Sequence, residues 1–572
     1  MNTFLPTSPQ DLAACGWDAL DIILISGDAY VDHPSFGTAL IGRVLEAAGF
    51  RVGIIAQPDL SRDEALLKLG RPKLFFGVSS GNMDSMVNHY TAQRKLRHDD
   101  AYSPDGQAGL RPNRAVIIYT NHLKRLFKDV PVVIGGIEAS MRRLAHYDYW
   151  QDKVRSSILA DSKADILVYG MAERALVDIA NALRDGMDIG SLKDIPGTAV
   201  FAARDADVDA TTLLPDDKSC VDKETFHQMS RQFWSQHDIK TLYQVNGGRM
   251  IKHNPPAPAL SSPELDALYA LPFTRQPHPD YQNSTIPAWE QIKHSLTSHR
   301  GCYGGCNFCA IAAHQGRRIS SRSKASIKAE AKVLVKNSGA KGITITDIGG
   351  PTANMYGSYC ALGWPDSCRR QSCLFPTICP NLRYNHKEQL QLLEEAGRLE
   401  GVNHLFVASG VRHDMALESQ EYIRALALRY AGGRLKLAPE HSEAAVLKLM
   451  GKPQIGCYEE FSRQFYSLCQ QAGIKRQIIP YLIVGHPGSN MESARAMRKW
   501  LIKHRIKVDQ VQEFTPTPMT ISTCMYYTGL DFNTGKPIHV PKPGEVRKQK
   551  ELVLWHKPSG KRVYKRDFDS FA

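Results

Sequence analysis

Short apolar segments alternate with amphipathic segments along most of the chain, and this alternation is the strongest constraint on its fold. Six segments of the first part have the composition of buried strands. They are DIILISG (21–27), RVGIIAQ (51–57), KLFFGVSS (73–80), RAVIIYT (114–120), VPVVIGGIEAS (130–140) and ADILVYGMAE (164–173). Strands that alternate with helices pair in parallel and carry helices on both faces. Residues 1–210 are therefore predicted to form a doubly wound, Rossmann-like α/β domain, with ligands beyond the carboxyl ends of its strands.

A second alternating array begins near residue 288. Its strand candidates are QIKHSLTS (291–298), GITITDIGG (342–350), HLFVASG (404–410), RLKLAPE (434–440), QIIPYLIVG (477–485) and VDQVQEF (508–514). Amphipathic helix patterns lie between most of them. Six β/α units in succession predict a partial (β/α)6 barrel over residues 288–556, with its chemistry at the carboxyl ends of the strands. Residues 211–287 are more polar and proline-rich, which predicts a linker or wrapping segment.

Three cysteines follow the first strand candidate of this second array. Cys302, Cys306 and Cys309 have the spacing C-x3-C-x2-C and stand among glycines, so one loop can wrap a single inorganic centre. Three thiolates are one short of a closed Fe–S or structural zinc site, and a cubane held by three would leave one iron open to an exogenous ligand. The alternative is a zinc site with His314 as the fourth ligand.

The sequence shows neither a membrane span nor a secretory signal, and this bears on whether the cysteines are reduced. No run reaches the roughly 18 apolar residues of a membrane span, and the start, MNTFLPTSPQ, has neither a basic nor a long apolar region. We therefore expect a cytoplasmic protein without a membrane partner. Its 12 cysteines are then expected to be thiols or metal ligands rather than disulfides.

The segment SHRGCYGGCNFCAIAAHQGRR resembles the signature of radical S-adenosylmethionine (SAM) enzymes. The resemblance implies that the three cysteines bind a [4Fe–4S] cluster, that Phe308 helps to line the cofactor site, and that Gly349 and Gly350 form the glycine motif of the second strand. The superfamily usually has an acidic residue where this sequence has Pro351. DIGGPTANMYG, KLAPEHS and YLIVGHPGS extend the resemblance, over nearly the whole chain, to the YgiQ-type family of radical SAM proteins.

This resemblance implies a reaction type. One electron from the reduced cluster would cleave SAM to methionine and a 5′-deoxyadenosyl radical, which would act on a substrate that the sequence does not identify. An electron donor such as flavodoxin or ferredoxin is the expected partner. The competing hypothesis is an RNA-binding or methylthiotransferase-like iron–sulfur protein. Its support is the basic excess of 71 − 58 = 13 residues, of which part lies in a predicted basic tail at 557–572.

The first domain is similar to the cobalamin-binding domains that precede some radical SAM cores. Those domains carry the signature D-x-H-x-x-G, whereas DHPSFG (32–37) has its histidine directly after the aspartate. We therefore predict a cobalamin-type fold without tight cobalamin binding.

Further polar residues fall where the active end of the barrel is expected. Four of them follow strand candidates three, four and five: Arg412, Glu440, His441 and His486. The turn GRRISSRS (316–323) is basic and suited to hold phosphate, a carboxylate or the cysteine-bearing loop. Four more thiols are interpreted either as a second metal site or as packing of an irregular loop: Cys360, Cys368, Cys373 and Cys379.

Overall fold

A computed structural model describes residues 4–203, 208–364 and 367–557, and within them the chain forms two α/β units. The strands of the first unit are β1 Ile22–Ser26, β2 Val52–Ala56, β3 Phe75–Ser79, β4 Val132–Gly135, β5 His146–Asp148, β6 Lys153–Arg155, β7 Ile166–Val168, β8 Thr198–Phe201, β9 Leu213–Leu214, β10 Leu242–Asn246 and β11 Arg249–His253. Its helices are α1 Pro9–Ala14, α2 Gly37–Ala47, α3 Glu64–Leu67, α4 Ser85–His89, α5 Ala115–Leu126, α6 Gly136–Ser140, α7 Ile158–Ser162, α8 Glu173–Arg184, α9 Lys223–Gln236 and α10 Ser262–Tyr269.

The described strands of this unit form one sheet in the order β2-β1-β3-β4-β7-β8-β11-β10-β9, while β5 and β6 make a separate hairpin. The five strands from β2 to β7 are parallel. β1 is buried along its whole length, as its unbroken apolar sequence requires for a strand covered on both faces. Because the chain turns from β1 outward to β2 and then returns to β3, a topological switch point lies between β1 and β3. The prediction of a doubly wound domain is confirmed.

Helices cover both faces of the sheet. On one face α2 and α8 bury side chains such as Leu45 and Ile179 in one apolar cluster. On the other face α5 and α9 bury side chains such as Tyr119 and Phe233 in a second cluster. The sheet is therefore the central layer of three.

Two segments differ from their predicted structure. RAVIIYT, predicted to be a strand, lies mostly in α5, whose buried residues Ala115, Val116, Tyr119 and Leu123 repeat at helical spacing; a short apolar run does not distinguish the two structures. Residues 211–287, predicted to be a linker or wrapping segment, supply β9, β10 and β11 to the sheet and also α9 and α10. Of the basic tail predicted at 557–572, only Lys557 lies within the described residues.

The second unit contains the predicted β/α array. Its strands are β12 Ser295–Thr297, β13 His299–Arg300, β14 Ser320–Ser321, β15 Ile343–Ile345, β16 Asp347–Gly349, β17 Tyr359–Cys360, β18 Leu382–Arg383, β19 Val402–Leu405, β20 Arg434–Glu440, β21 Gln477–Val484 and β22 Gln512–Glu513. Its helices are α11 Pro287–Ile292, α12 Ala310–Gln315, α13 Lys324–Ser338, α14 His386–Gly397, α15 His413–Ala416, α16 Gln420–Ala425, α17 Ala444–Met450, α18 Ile455–Gln471, α19 Met491–Lys503, α20 Ile521–Thr528 and α21 Pro543–Val553.

The strands of the barrel itself pair in parallel, whereas β13 with β14 and β17 with β18 form short antiparallel pairs. β12 pairs with β16, β15 with β19, β20 with β21 and β21 with β22, and a parallel bridge from Val411 to Leu437 connects the β19 side to β20. Within the described ranges no ladder joins β22 to β12. The array is therefore a partial barrel, as predicted, and its core is a third apolar cluster between the strands and α13, α14, α16 and α18. In the part of the chain that the structure describes, no helix is both long and apolar enough to cross a membrane.

Candidate functional site

The three cysteines lie in the loop of residues 301–309, the cysteine loop, which leaves β13 and leads into α12. β13 pairs with β14, so the basic turn that precedes β14 closes over the base of this loop. Gly301 has φ +84°, and the carbonyl oxygen of Arg318 occupies the place of a side chain. Gly305 has φ +59°, and a Cβ atom there would lie 2.5 Å from the carbonyl oxygen of Gln371. Both positions therefore require glycine for conformation and for space.

The thiols of the cysteine loop are brought close together. A Cβ atom on Gly304 would lie 3.3 Å from Cys302 Sγ and 3.9 Å from Cys306 Sγ, so a side chain there would enter the space beside both sulfurs. Burial, and after it the neighbouring thiols Cys306 and Cys302, raises the pKa of Cys309 to about 12. Burial and Cys306 also raise the pKa of Cys302. Three thiols held this close together acquire thiolate character when a metal centre binds them and displaces their protons.

A buried arginine accompanies the thiols. Arg412 donates from Nη1 to Cys306 Sγ at 3.6 Å, and its Nε and Nη2 hold Asp414 at 2.9 and 2.5 Å. A cubane with three thiolates is an anionic group and is wider than a single ion. The cysteine loop offers it three sulfurs, free space beside Gly304 and the guanidinium of Arg412. The residues present therefore fit such a cluster.

A single-ion site has less support. In the ranges that the structure describes, no group of three or more His, Cys, Asp or Glu side chains is arranged to hold one metal ion. His314, considered as a zinc ligand, instead has Nδ1 3.0 Å from the hydroxyl of Ser140 in the first unit.

The glycine motif lies directly beside the cysteine loop. β12 and β16 pair so that Thr297 faces Gly349, and Ser298 donates its backbone N–H to the carbonyl of Gly349 at 2.7 Å. Three residues further on, Thr352 Oγ1 lies 3.7 Å from Cys302 Sγ. The strand-one loop and the strand-two turn therefore form one wall, as the sequence resemblance implies.

The turn at Gly349–Gly350 is tightly packed. A Cβ atom on Gly350 would lie 2.7 Å from the imidazole of His299, and one on Gly349 would lie 2.9 Å from Cβ of Ser409. Ser409 is itself bound to the carboxylate of Asp347 on β16, which also accepts the backbone N–H of Ala408 at 2.8 Å. Any side chain at either glycine must displace a neighbour.

A cavity of about 580 Å³, the edge cavity, lies where the carboxyl edges of the two units face each other. The barrel contributes Gly349, Gly350 and Ser409, while the first unit contributes the segments that follow β1, β3, β4 and β7. These segments flank the switch point, where ligands of doubly wound sheets bind. The ion pair of Arg300 with Glu173 joins the two units at its wall.

A larger cavity of about 1210 Å³ lies elsewhere, around the amino end of β21 and the segment before β22. Active sites of β/α barrels lie at the opposite, carboxyl edge. The smaller edge cavity is therefore the better candidate for the site.

Several residues selected from the sequence lie on the other side of the cysteine loop. Phe308 packs among apolar residues of α17, β21 and the β22 end, with its ring 6.4 Å from that of His486. His486 is buried, and its Nε2 lies 2.7 Å from the hydroxyl of Ser522. Glu440 pairs with Lys452 at 3.6 Å, and burial lowers the pKa of His441 to about 3. The roles predicted for these residues stay predictions.

The second group of thiols is partly brought together. Burial raises the pKa of Cys373 to about 11, and Cys379 and Cys368 act on it in the same direction, so these three lie near one another. Cys360 lies on β17. This segment is joined to the cysteine loop, because Cys373 donates its N–H to Tyr303 O at 3.1 Å and Ser372 Oγ donates to Gly304 O at 2.7 Å.

The DHPSFG segment of the first unit serves its own fold. Asp32 is buried in an ion pair with Arg43 at 2.6 Å. His33 is also buried and accepts the N–H of Ser35 through Nδ1 at 3.1 Å. Neither side chain is among those that line the edge cavity.

Sequence reasoning did not select His299, Thr352 and Ser409. His299 is fully buried, and its Nε2 has no hydrogen-bond partner among the described residues. Each of the three lies within seven residues of a motif or strand end. The signal that could have found them was proximity to the cysteine motif for His299, to the glycine pair for Thr352 and to a strand end for Ser409.

Comparison with known proteins gives family matches along almost the whole chain. Residues 4–295 match the radical SAM N-terminal family, residues 296–501 match the radical SAM superfamily, and residues 509–565 match a domain of unknown function, DUF3362. A UPF0313 protein of Bradyrhizobium diazoefficiens is 50% identical over 92% of this chain and 82% of its own length. The UPF0313 protein YgiQ of Escherichia coli K12 is 44% identical over 97% of this chain and 84% of its own.

Solved structures give the same fold. The radical SAM methyltransferase TsrM of Kitasatospora setae, solved with its tryptophan substrate and a SAM analogue, has a TM-score of 0.51 at 15% identity, covering 94% of this chain and 89% of that one. A second TsrM structure, with cobalamin and a [4Fe–4S] cluster bound, has a TM-score of 0.50 at 15% identity, covering 95% of this chain and 92% of that one. At this identity the similarity concerns the fold alone.

Proposed function

The chain belongs to the UPF0313 family and carries a radical SAM superfamily domain, and from that premise we propose that it is a radical SAM enzyme. Cys302, Cys306 and Cys309 would hold a [4Fe–4S] cluster. The turn at Gly349 and Gly350 receives the methionine end of SAM. When bound, the cluster supplies the electron that cleaves SAM to methionine and a 5′-deoxyadenosyl radical.

The observation that carries this proposal is the register of β12 on β16. It places the cysteine loop and the glycine turn side by side, with Cys302 Sγ and Thr352 Oγ1 3.7 Å apart. A group held by the thiols would therefore stand next to backbone that lacks side chains at two successive positions. This arrangement supports recognition of a cofactor that touches both elements.

The chain's own residues prepare this place in three ways. The side chains of Cys302 and Cys309 are only partly exposed, which limits the access of water to these ligands. Arg412 presents a cation and an N–H donor to Cys306, which offsets the negative charge of a thiolate-bound centre. Gly350 allows the turn to lie against the imidazole of His299 while its backbone lines the edge cavity, because it has no Cβ atom to occupy that space.

The substrate of the proposed reaction enters the edge cavity. That cavity reaches from the glycine turn to the switch point of the first unit, so a substrate there would lie beside the bound SAM. The electron comes from outside the chain, since no amino-acid side chain is a low-potential donor. The proposed donor is a protein of the flavodoxin or ferredoxin type.

The test is anaerobic cleavage of SAM. Reconstituted protein reduced with dithionite should form 5′-deoxyadenosine and methionine, measured by mass spectrometry, even without the true substrate. Cys306→Ala should abolish the products, whereas Cys457→Ala, which removes a half-buried thiol of α18, should leave them unchanged. If fully clustered wild type neither binds SAM nor exceeds the Cys306→Ala background, the cluster is structural and the enzyme assignment fails.

A further inference from the structure

A second cavity, the arginine cavity, adjoins the site and is unusually basic. Its volume is about 300 Å³ and its charged lining is six arginines and one aspartate, namely Arg143, Arg300, Arg317, Arg318, Arg369, Arg370 and Asp238. It shares Arg300, His314 and Gln315 with the edge cavity. Gly170 and Met171 also line both cavities, so the two spaces adjoin along these shared residues of the first unit and of the α12 end.

Part of this positive charge is already offset. Arg317 pairs with Asp238 at 2.7 Å, and Arg300 pairs with Glu173. Asp238 is also taken by His237 at 3.0 Å. The only carboxylate among the described lining residues therefore has two partners and is not available to a third.

Arg143 is the residue that points to a ligand. Its side chain is only 1% exposed, and within the described ranges it forms no ion pair. Its neighbour Arg142, equally buried, is paired with Asp84. An unpaired charge removed from water is energetically costly, so such groups are rarely retained without a partner.

The contacts of Arg143 hold its guanidinium in place but do not neutralise it. Nε donates to His253 Nε2 at 2.9 Å, and Nη1 donates to the carbonyl of Ser140 at 2.6 Å. The guanidinium stacks over Tyr169 at 4.4 Å. Burial, and after it Arg143, holds the pKa of His253 well below its usual range, so that ring is neutral and can accept. Nη2 has no hydrogen bond to a described residue, and Arg143 lines the cavity.

We propose that the arginine cavity binds the oxyanion of a small-molecule substrate, a phosphate ester or a carboxylate, whose remaining part extends into the edge cavity. This rests on the proposed function, because it makes the cavity the anchor of the substrate. Nη2 of Arg143 supplies a charge-assisted donor to that oxyanion. Trp234, Trp364 and Tyr169 supply flat walls to the group beside it. A cavity of this size admits a small molecule.

Calorimetric titration of the full, anaerobically reconstituted chain tests this directly. The probes are phenyl phosphate, benzoate and, as the neutral counterpart, benzyl alcohol. We expect one or both anions to bind, the stronger of the two identifying the oxyanion, and the alcohol not to bind. Affinity should fall as salt is raised. Absence of binding by both anions at about 10 mM would overturn the proposal.

Variants locate the binding. Arg143→Met should weaken anion binding at least about tenfold, because it removes one charge-assisted hydrogen bond, and Arg143→Lys should retain part of it. Arg71→Gln is the matched control, since it removes an exposed arginine that pairs with Asp129 far from the site. Anion binding by Arg143→Met as tight as by wild type contradicts the proposal. If Arg143→Met does not fold, Arg318→Gln on the exposed rim takes its place, and an affinity equal to that of the control is the contrary result.

The same preparations separate this inference from the proposed function. If SAM binds and is cleaved but neither anion binds, only the anion site fails. If an anion binds through Arg143 but SAM is neither bound nor cleaved, the enzyme assignment fails and the anion site stands. Displacement of phenyl phosphate by a structured RNA, with the same dependence on Arg143, would contradict a small-molecule substrate.

Discussion

Replacing Arg412 with methionine should destabilise the barrel unit, because it leaves the buried carboxylate of Asp414 without its partner. The side chains of Arg412 and Asp414 are 7% and 9% exposed, and two hydrogen bonds join them. Removing one member of such a buried pair costs about 3–5 kcal/mol, because the other charge stays in the protein without its partner. For a unit of this size the loss corresponds to roughly 5–10 °C in the unfolding midpoint.

The loss of stability in Arg412→Met should depend on pH in a definite direction. In the wild type, burial raises the pKa of Asp414, but Arg412 outweighs it and the pKa lies well below the usual range. The pair therefore contributes stability above the ordinary aspartate pKa, and this stability is lost as the pH falls through the lowered one. Without Arg412, burial dominates and the pKa rises. Protonation of Asp414 then removes its unpaired buried charge and stabilises the variant. The difference in stability between wild type and Arg412→Met should therefore become smaller as the pH falls from 8 toward about 5.

The assay is anaerobic differential scanning calorimetry over that pH range, because the two units need not unfold in one transition. The double variant Arg412→Met/Asp414→Asn removes both charges and should recover most of the loss. A midpoint for Arg412→Met within 1 °C of wild type at every pH would refute the reasoning. So would a double variant no more stable than the single one.

Four further predictions concern the cofactors. Changing all three cysteines of the cysteine loop to alanine should remove roughly four iron and four sulfide per chain; full iron retention, or zinc in the wild type, would contradict this. Removing the four thiols of residues 360–379 as well should lower the metal content further if they hold a second centre, and equal content would favour packing. Hydroxocobalamin should not be retained through gel filtration, because His33 is buried and does not line the edge cavity; a stoichiometric corrinoid spectrum would overturn this. Gly350→Val should weaken SAM binding at least about tenfold while Gly433→Ala, in open space, does not; normal SAM affinity in the valine variant would exclude the turn from the site.

The sequence predicts the second unit well for a physical reason. Its strands are short apolar runs, and the helices between them have a clear 3.6-residue period. Both patterns can therefore be recognised directly in the sequence. The same signal fails at β10, where burial alternates along Leu242–Asn246 and the buried residues include Gln244 and Asn246. These amides are held by hydrogen bonds, for example from the N–H of Ala145, just before the β5–β6 hairpin, to Gln244 Oε1 at 2.8 Å. A polar strand of this kind has the composition of a linker, and tertiary contacts decide its structure.

In the candidate site, too, some residues can be predicted from the sequence and others cannot. The cysteine spacing and the glycine pair are local patterns, so the sequence alone places them at adjacent strand ends. Arg143 carries no such pattern, because its significance depends on the nearby acid, Asp238, being paired with other residues. Its neighbour Arg142 has the same residue type and similar burial but is paired with Asp84. Only the folded arrangement distinguishes the two.

Both units build the candidate site, and this explains why residues far apart in sequence meet there. The carboxyl edges face each other, joined by Arg300 with Glu173 and by His314 with Ser140. A further contact between the units is made where α20 follows the barrel and returns to pack on α9, and there Trp234 donates to the carbonyl of Met519 at 3.1 Å. Because the edge cavity and the arginine cavity each take walls from both units, neither unit encloses them alone. A substrate bound there would be held between the switch point of one sheet and the glycine turn of the other, so its affinity should depend on residues of both.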